Sequence, residues 1–197
     1  MMEGQVNARS RALSILARCC KLGQNADMAV QIIFLHGASS AGKSTLARAL
    51  QDVLPSPYWH VSIDKIRDAG VLPDARFASG DFAWEVHRQA FFDGFHGSLV
   101  AFADAGNNLI VEHIFDDETM RDHVQILLAP FDVIWVGLHT PLDVLTAREV
   151  ARADRRVGSA AEDFGKVHHG MRYDLELDGT ATPDANVARV IEMLNQR

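Results

Sequence analysis

Gly37-Ala38-Ser39-Ser40-Ala41-Gly42-Lys43-Ser44 is the stretch that decides the fold of this chain. It fits the pattern G-x-x-x-x-G-K-[ST], and it stands between an apolar run that ends at His36 and an amphipathic run that begins at Lys43. A strand, a glycine-rich turn and a helix in this order aim backbone N–H groups and a helix N-terminus at one point. The phosphates of a nucleotide fit that point.

Each residue type in this loop has a physical task. Gly37 and Gly42 permit backbone conformations that turn N–H groups inward. Lys43 can place its charge on the β- and γ-phosphates, and the Ser44 hydroxyl can hold Mg²⁺. The alternative is a glycine-rich turn that carries Gly-Lys-Ser by chance, in fewer than about one in a hundred chains of this length. We therefore predict that ATP·Mg²⁺ binds at Gly37, Ala38, Ser39, Ser40, Ala41, Gly42, Lys43, Ser44 and Thr45.

Outward from this loop, short apolar runs alternate with longer amphipathic ones. The apolar runs predict strands over Gln31–His36, Tyr58–Ile63, Asn108–His113, Val133–His139 and Arg172–Leu177. The amphipathic runs predict helices over Lys43–Leu54, Asp81–Asp104, Asp117–Leu128, Leu142–Asp154 and Asp184–Asn195. Repeated strand–helix alternation predicts an α/β fold in three layers, with a five-stranded parallel sheet and helices on both faces.

Length and charge restrict the class of protein. The chain has 197 residues and a net charge of −7, which favours one domain and argues against a surface that binds nucleic acid. Its apolar runs are too short to cross a membrane. Two adjacent cysteines, Cys19 and Cys20, cannot form a disulfide framework, so we expect a cytoplasmic protein.

The N-terminal segment differs from the rest, since residues 1–29 carry a net charge of +2 and the remainder carries −9. We predict an N-terminal extension, helical or disordered, over residues 1–27 and a catalytic domain over 28–197. The extension is a surface helix or tail, translated sequence upstream of a start at Met28, or an organellar presequence.

Two acidic residues follow apolar strands and are candidates for the site. Asp64 comes at the end of Val61-Ser62-Ile63, where it could deprotonate a substrate hydroxyl, hold the magnesium shell or cap a helix. Glu112 ends Leu109-Ile110-Val111, which is the Walker-B pattern of a Mg²⁺ ligand. A solvated strand end is the alternative for Glu112. His113 should point to the opposite face of the sheet.

An arginine-rich helix follows the fourth strand. Arg148, Arg152 and Arg155 share a helix face, with Arg156 beside them. They could close as a lid on a transferring phosphoryl group and exclude water. The alternative is a surface helix with ion pairs to Glu149 and Asp154.

Two further features carry weaker signals. The turn Asp178-Gly179-Thr180 could meet an adenine base. The nine histidines show no metal-ligand spacing, so we predict no metal beyond the Mg²⁺ that arrives with ATP.

Together the motifs resemble the chloramphenicol phosphotransferase-like P-loop kinases. The matching blocks are Phe34–Ser44, Val61–Asp64, Asp132–Gly137, Arg148–Arg155 and Val167–Asp178. The resemblance implies a nucleotide-kinase-like fold and a general-base role for Asp64 on a primary hydroxyl of the antibiotic. It also implies that Lys43 and Ser44 serve ATP·Mg²⁺ and that Arg148, Arg152 and Arg155 supply the lid.

The acceptor is less certain from sequence, because Glu112-His113 and the stretch 65–84 depart from the family pattern. Phe77, Phe82 and Trp84 in that stretch could line an acceptor pocket or form the core of a helical subdomain. We predict ATP-dependent phosphorylation of a small-molecule hydroxyl, with a chloramphenicol-like antibiotic as the first candidate. The alternatives are a kinase of a nucleoside, sugar or sugar nucleotide, and a nucleotide-dependent regulatory module.

Overall fold

The structure is a computed structural model that describes residues 30–151 and 158–197. The predicted extension over 1–27 and the arginines Arg152, Arg155 and Arg156 lie outside the described residues. The strands are β1 (Gln31–His36), β2 (Tyr58–Ser62), β3 (Asn108–Glu112), β4 (Asp132–His139) and β5 (Leu175–Asp178). The helices are α1 (Lys43–Val53), α2 (Ile63–Asp68), α3 (Asp74–Ala78), α4 (Trp84–Asp104), α5 (Glu118–Leu128), α6 (Leu142–Ala151), α7 (Ser159–Phe164) and α8 (Pro183–Asn195).

The five strands form one parallel sheet in the order β2-β3-β1-β4-β5. β1 is the central strand, and its Ile33 lies opposite Ile110 of β3 and Ile134 of β4. The predicted five-stranded parallel sheet is therefore confirmed. This order places the carboxyl ends of β1, β2 and β3 side by side, and ligands bind at such an edge in open parallel sheets.

Helices cover both faces of the sheet, as the sequence predicted. Side chains alternate along β1, so Ile33 and Leu35 pack with the α1 and α8 side while Ile32 and Phe34 pack with the α4 and α5 side. All four are fully buried. Each such side chain contributes roughly 1.5–3 kcal/mol of transfer free energy, so burial on both faces anchors β1 at the centre of the sheet.

Several boundaries differ from the sequence prediction for local reasons. β2 ends at Ser62 because Ile63 already begins α2. β5 begins at Leu175 rather than Arg172, after Asp174 has joined β4 by bonds to the backbone of Trp135. The short helices α2, α3 and α7 were not predicted, since five or six residues are too few to show a period. None of the described helices has the length and apolar character that crossing a membrane requires.

Candidate active site

The loop between β1 and α1 has a shape that only certain residues permit. Gly42 has φ 107° and Ser40 has φ 63°, both in the left-handed region. A Cβ on Gly37 would lie 2.5 Å from the carbonyl oxygen of Leu138, so a side chain cannot fit there. Inside the loop, Lys43 Nζ donates to the carbonyls of Gly37 at 2.6 Å and Ala38 at 2.8 Å. The backbone thus holds a buried cation at the centre of a cradle.

A carboxylate from α7 reaches this cradle. Asp163 Oδ2 accepts a hydrogen bond of 2.9 Å from the backbone N–H of Ser39. Backbone N–H groups of such loops are the donors that bind phosphate oxygens. The Asp163 carboxylate therefore occupies one N–H donor of the loop and joins α7 to it.

Glu112 lies at the end of β3 within a chain of hydrogen bonds. Ser44 Oγ donates to its carboxylate, with distances of 2.7 and 2.9 Å to the two oxygens. His60 Nε2 lies 3.0 Å from Oε2. Lys65 Nζ lies 2.8 Å from His60 Nδ1 and can only donate, so His60 carries its proton on Nε2 and donates it to Glu112.

The electrostatics keep Glu112 ionised. Burial alone would raise its pKa, but the hydrogen bond from His60, the charge of Lys43 and the bond from Ser44 outweigh it and lower the pKa to about 2. A buried carboxylate and a hydroxyl that touch each other are oxygen donors of the kind that Mg²⁺ prefers.

Asp64 lies in the first turn of α2, directly after β2. Its Oδ1 accepts from Arg67 Nη2 at 2.6 Å, one helical turn later. The N-cap position belongs to Ser62, so the alternative of a helix cap at Asp64 is wrong. Asp64 lines a cavity of about 150 Å³ together with Lys43, Glu112, His113 and Asp163. The residues that follow β1, β2 and β3 therefore meet at one edge of the sheet.

A second cavity, of about 330 Å³, lies on the other side of the loop. It is bounded by residues 40–42, by Gly179 after β5 and by Asn186 of α8. Arg148 of α6 also lines it, and its Nη2 donates to the Gly179 carbonyl at 2.9 Å while Nη1 donates to the Ala41 carbonyl at 3.2 Å. Arg148 therefore links the turn at 178–180 to the loop between β1 and α1, and contact of this turn with an adenine base stays a prediction.

The acidic neighbour of Arg148 on α6 is held by backbone N–H groups. Glu149 is buried and accepts from the backbone N–H groups of Gly158 at 2.7 Å and Ala160 at 2.9 Å. These hydrogen bonds lower the pKa of Glu149. The carboxylate thus joins α6 to the start of α7.

With this geometry in hand, comparison with known proteins is informative. A sequence profile described as "Chloramphenicol phosphotransferase-like protein" matches residues 30–196. The chain belongs to this family. It is also 30% identical over 179 residues to a protein of Mycobacterium tuberculosis provisionally named an O-phosphotransferase, covering 81% of this chain and 79% of that one.

Two solved structures share the fold. The APS kinase of Mycobacterium tuberculosis, in complex with AMPPNP and APS, gives a TM-score of 0.64 at 18% identity and covers 86% of this chain and 99% of its own. A gluconokinase from Sinorhizobium meliloti gives 0.58 at 17% identity and covers 86% and 98%. At these identities the likeness shows the P-loop kinase fold alone. Together with the family match, it makes this chain a P-loop phosphotransferase.

In this member of the family, the structure adds site residues that sequence reasoning missed. These are His60, Lys65 and Arg67 from β2 and α2, and Asp163 from α7. His60 lies on the same face as Glu112, but that relation needs the pairing of β2 with β3. The three-residue step from Asp64 to Arg67 is visible in the sequence and could have suggested their ion pair.

The aromatic residues between α3 and α4 pack mainly on one another. The ring of Phe77 lies 6.0 Å from Phe82 and 5.5 Å from Trp84. They form a partly buried aromatic cluster between α3 and α4, and they are not among the residues that line the cavity of Asp64. In the described structure, Phe92 of α4 is the aromatic residue that lines the cavity of Asp64.

A chain of hydrogen bonds between histidines and a tyrosine begins at the end of β1, next to the loop between β1 and α1. His36, at the end of β1, is fully buried, accepts from the Phe115 N–H through Nε2 and so donates from Nδ1 to Tyr173 Oη at 2.9 Å. Tyr173 Oη lies 2.7 Å from His168 Nδ1. Burial, followed by the charge of Lys43, lowers the pKa of His36 to about 3, which keeps this ring neutral. The chain joins the central strand to the segment after α7.

Proposed function

We propose that this P-loop phosphotransferase transfers the γ-phosphate of ATP to a hydroxyl group of a small molecule, with Mg²⁺ as cofactor. A chloramphenicol-like antibiotic is the first candidate acceptor, and resistance to it is the expected role in a cytoplasmic setting. No nucleic acid or membrane partner is expected. One observation carries the proposal: a single cavity brings together Asp64, Lys43 and Glu112, and Ser44 bonds to Glu112. These are a base, a phosphate-binding cation and a pair of oxygen donors.

The residues of the loop fit a nucleotide and its metal. Ser40 is buried, and its Oγ has no hydrogen-bond partner within the described structure, although it lies in a loop that aims donors inward. Ser44 and Glu112 offer oxygens less than 3 Å apart. When bound, Mg²⁺ would neutralise charge on the phosphate oxygens. Residues 37–45 would hold the phosphates, while Ser44 and Glu112 would hold the metal.

The protein's own groups then have distinct roles. Asp64 accepts the proton of the acceptor hydroxyl. The oxygen of that hydroxyl bonds to the γ-phosphorus as the bond to ADP breaks and ADP departs. Arg67 donates to one oxygen of Asp64 and so orients the carboxylate that accepts the proton. Lys43 exchanges its two carbonyl partners for phosphate oxygens. Most of the rate enhancement comes from positioning and from this fixed positive charge.

The arginines of the α6 region complete the proposal. Arg148, already placed against the loop carbonyls, would neutralise charge on the nucleotide side. Arg152 and Arg155, which lie outside the described residues, are proposed to reach the transferring group when the lid closes. Closure also excludes water, which would otherwise hydrolyse ATP.

The test is an acceptor screen on purified full-length protein with ATP and Mg²⁺. Chloramphenicol comes first, followed by a sugar and a nucleoside, with ADP formation and a gain of one phosphate on the acceptor as readouts. Phosphorylated chloramphenicol supports the full proposal, and a phosphorylated sugar or nucleoside replaces its acceptor. ADP formation that never depends on an acceptor overturns the proposal and favours a regulatory module.

Two variants test the assigned roles in the protein with its accepted substrate. Asp64→Ala should lower the transfer rate by roughly 10²–10⁴-fold while ATP binding stays near normal, since only the base is lost. Asp68→Ala, an exposed position on the same helix, is the matched control. Lys43→Ala should greatly weaken ATP turnover. Full activity in Asp64→Ala contradicts the general-base role, and full activity in Lys43→Ala contradicts the cradle.

A further inference from the structure

Asp93, His96 and His123 lie between α4 and α5, outside the residues of the proposed kinase site. Asp93 and His96 are one turn apart on α4, and His123 faces them from α5. One possible ligand atom from each of the three lies within 4.8 Å of the others. His113, just after β3, touches His96 from the inner side, with their Nε2 atoms 3.1 Å apart.

From this arrangement we propose that Asp93, His96 and His123 bind a divalent transition metal ion, Zn²⁺ or a metal of similar preference. Imidazole nitrogens suit zinc, copper and nickel, whereas Mg²⁺ prefers an all-oxygen set. Two imidazoles and one carboxylate leave a fourth tetrahedral position for water. The site is therefore chemically different from the Ser44–Glu112 pair.

The buried half of the site supplies the first argument. His96 is 2% exposed and His113 is 3% exposed, and the Nδ1 atoms of both have no hydrogen-bond partner within the described structure. Buried polar atoms are rarely left in this state, because each costs about 1–3 kcal/mol. A metal ion on His96 would satisfy one of the two atoms.

The hydrogen bond between the two rings supplies the second argument. Two neutral imidazoles can share it in only two ways, with the proton on His96 Nε2 or on His113 Nε2. If His96 donates, its Nδ1 keeps a lone pair that can bind a metal. A metal-bound histidine almost always donates its other N–H to a neighbouring group. His113 is the group that accepts this bond.

The outer half of the site can adjust to an ion. Asp93 and His123 are exposed side chains, so rotation can bring their ligand atoms from the present spacing to about 2 Å from an ion. Gln89 Nε2 donates to Oδ1 of the Asp93 carboxylate at 2.8 Å.

Direct binding measurements test this site. Full-length protein, treated with a chelator and kept free of nucleotide and Mg²⁺, is titrated with Co²⁺ and followed by its visible d–d absorption. Zn²⁺ stoichiometry is then measured by equilibrium dialysis. The chain has nine histidines and two cysteines, so the comparison between variants, rather than the total metal bound, decides the result.

His123→Ala and Asp93→Asn should each remove one equivalent of metal or weaken its binding by at least about tenfold. Both positions are exposed, so folding should be preserved, and circular dichroism checks this. His169→Ala, an exposed histidine outside the group, should bind like the wild type. Unchanged stoichiometry and affinity in both site variants would overturn the proposal. The readout does not depend on kinase activity, so failure here leaves the proposed function intact.

Discussion

Gly137→Ala should destabilise the protein through a single steric conflict. Gly137 is buried in β4, and a Cβ at this position would lie 2.6, 2.7 and 2.9 Å from three ring atoms of Tyr173. Ordinary contact begins near 3.4 Å, so the ring would have to retreat by about 0.8 Å. The backbone at Gly137 has a negative φ, so alanine is otherwise acceptable there.

The expected magnitude follows from what Tyr173 holds. Overpacking costs typically about 1–3 kcal/mol. The same retreat stretches the 2.9 Å bond between Tyr173 Oη and His36 Nδ1, and a buried group left without its partner costs about 1–3 kcal/mol more. We therefore expect Gly137→Ala to lower the free energy of unfolding by about 2–6 kcal/mol.

The assay is urea unfolding, followed by circular dichroism and fluorescence, on four proteins that form a double-mutant cycle. In a Tyr173→Ala background the ring is gone, so adding Gly137→Ala should change the free energy of unfolding by less than about 0.5 kcal/mol. Tyr173→Phe separates the lost hydrogen bonds from the steric conflict. An equal cost of Gly137→Ala in both backgrounds, or no cost in the wild type, would refute the reasoning.

Three further outcomes are expected. Asp163→Ala should tighten ATP binding by about fivefold, as measured by calorimetry. In the wild type a phosphate must first displace the Asp163 carboxylate from the Ser39 N–H, and that hydrogen bond contributes about 1 kcal/mol. Unchanged or weaker ATP binding contradicts this. Glu112→Gln should raise the Mg²⁺ concentration for half-maximal transfer by roughly 10- to 100-fold, and an unaltered Mg²⁺ requirement would remove Glu112 from the metal site. The pKa of His36 is 6.5 in the unfolded chain and about 3 in the folded protein, so between these values the unfolded chain binds a proton that the folded protein does not. The free energy of unfolding therefore falls as the pH falls. Between pH 7 and 5 this loss is about 2 kcal/mol in urea unfolding, and His36→Gln should flatten the dependence; parallel curves argue against the buried neutral ring.

The predicted fold rested on local signals that the structure confirms. The apolar runs at Gln31–His36 and Asn108–Glu112 are strands because they are buried on both faces, and such runs are visible without knowing their neighbours. The edge shared by Asp64 and Glu112 was also predictable, because all strands of a parallel sheet point the same way. Their catalytic and metal-binding roles remain predictions.

Other features depended on contacts between distant segments. The bond from His60 to Glu112 joins residues 52 positions apart, and the bond from Ser39 to Asp163 joins residues 124 apart. The histidine group was missed for the same reason, since His96 and His123 lie on separate helices that only packing brings together. Residue spacing along the chain carries no signal for such pairs.

The sequence by itself determined the phosphate loop and the parallel α/β class of this protein. The loop is made from consecutive backbone N–H groups, so consecutive residues encode it. The spacing of apolar residues that distinguishes a strand from a helix is likewise visible within a short stretch of sequence. The tertiary structure decided the strand order, and with it which side chains surround Lys43 and Glu112. That choice is made by burial of the two faces of β1, an energy summed over the whole molecule, which no short stretch of sequence contains.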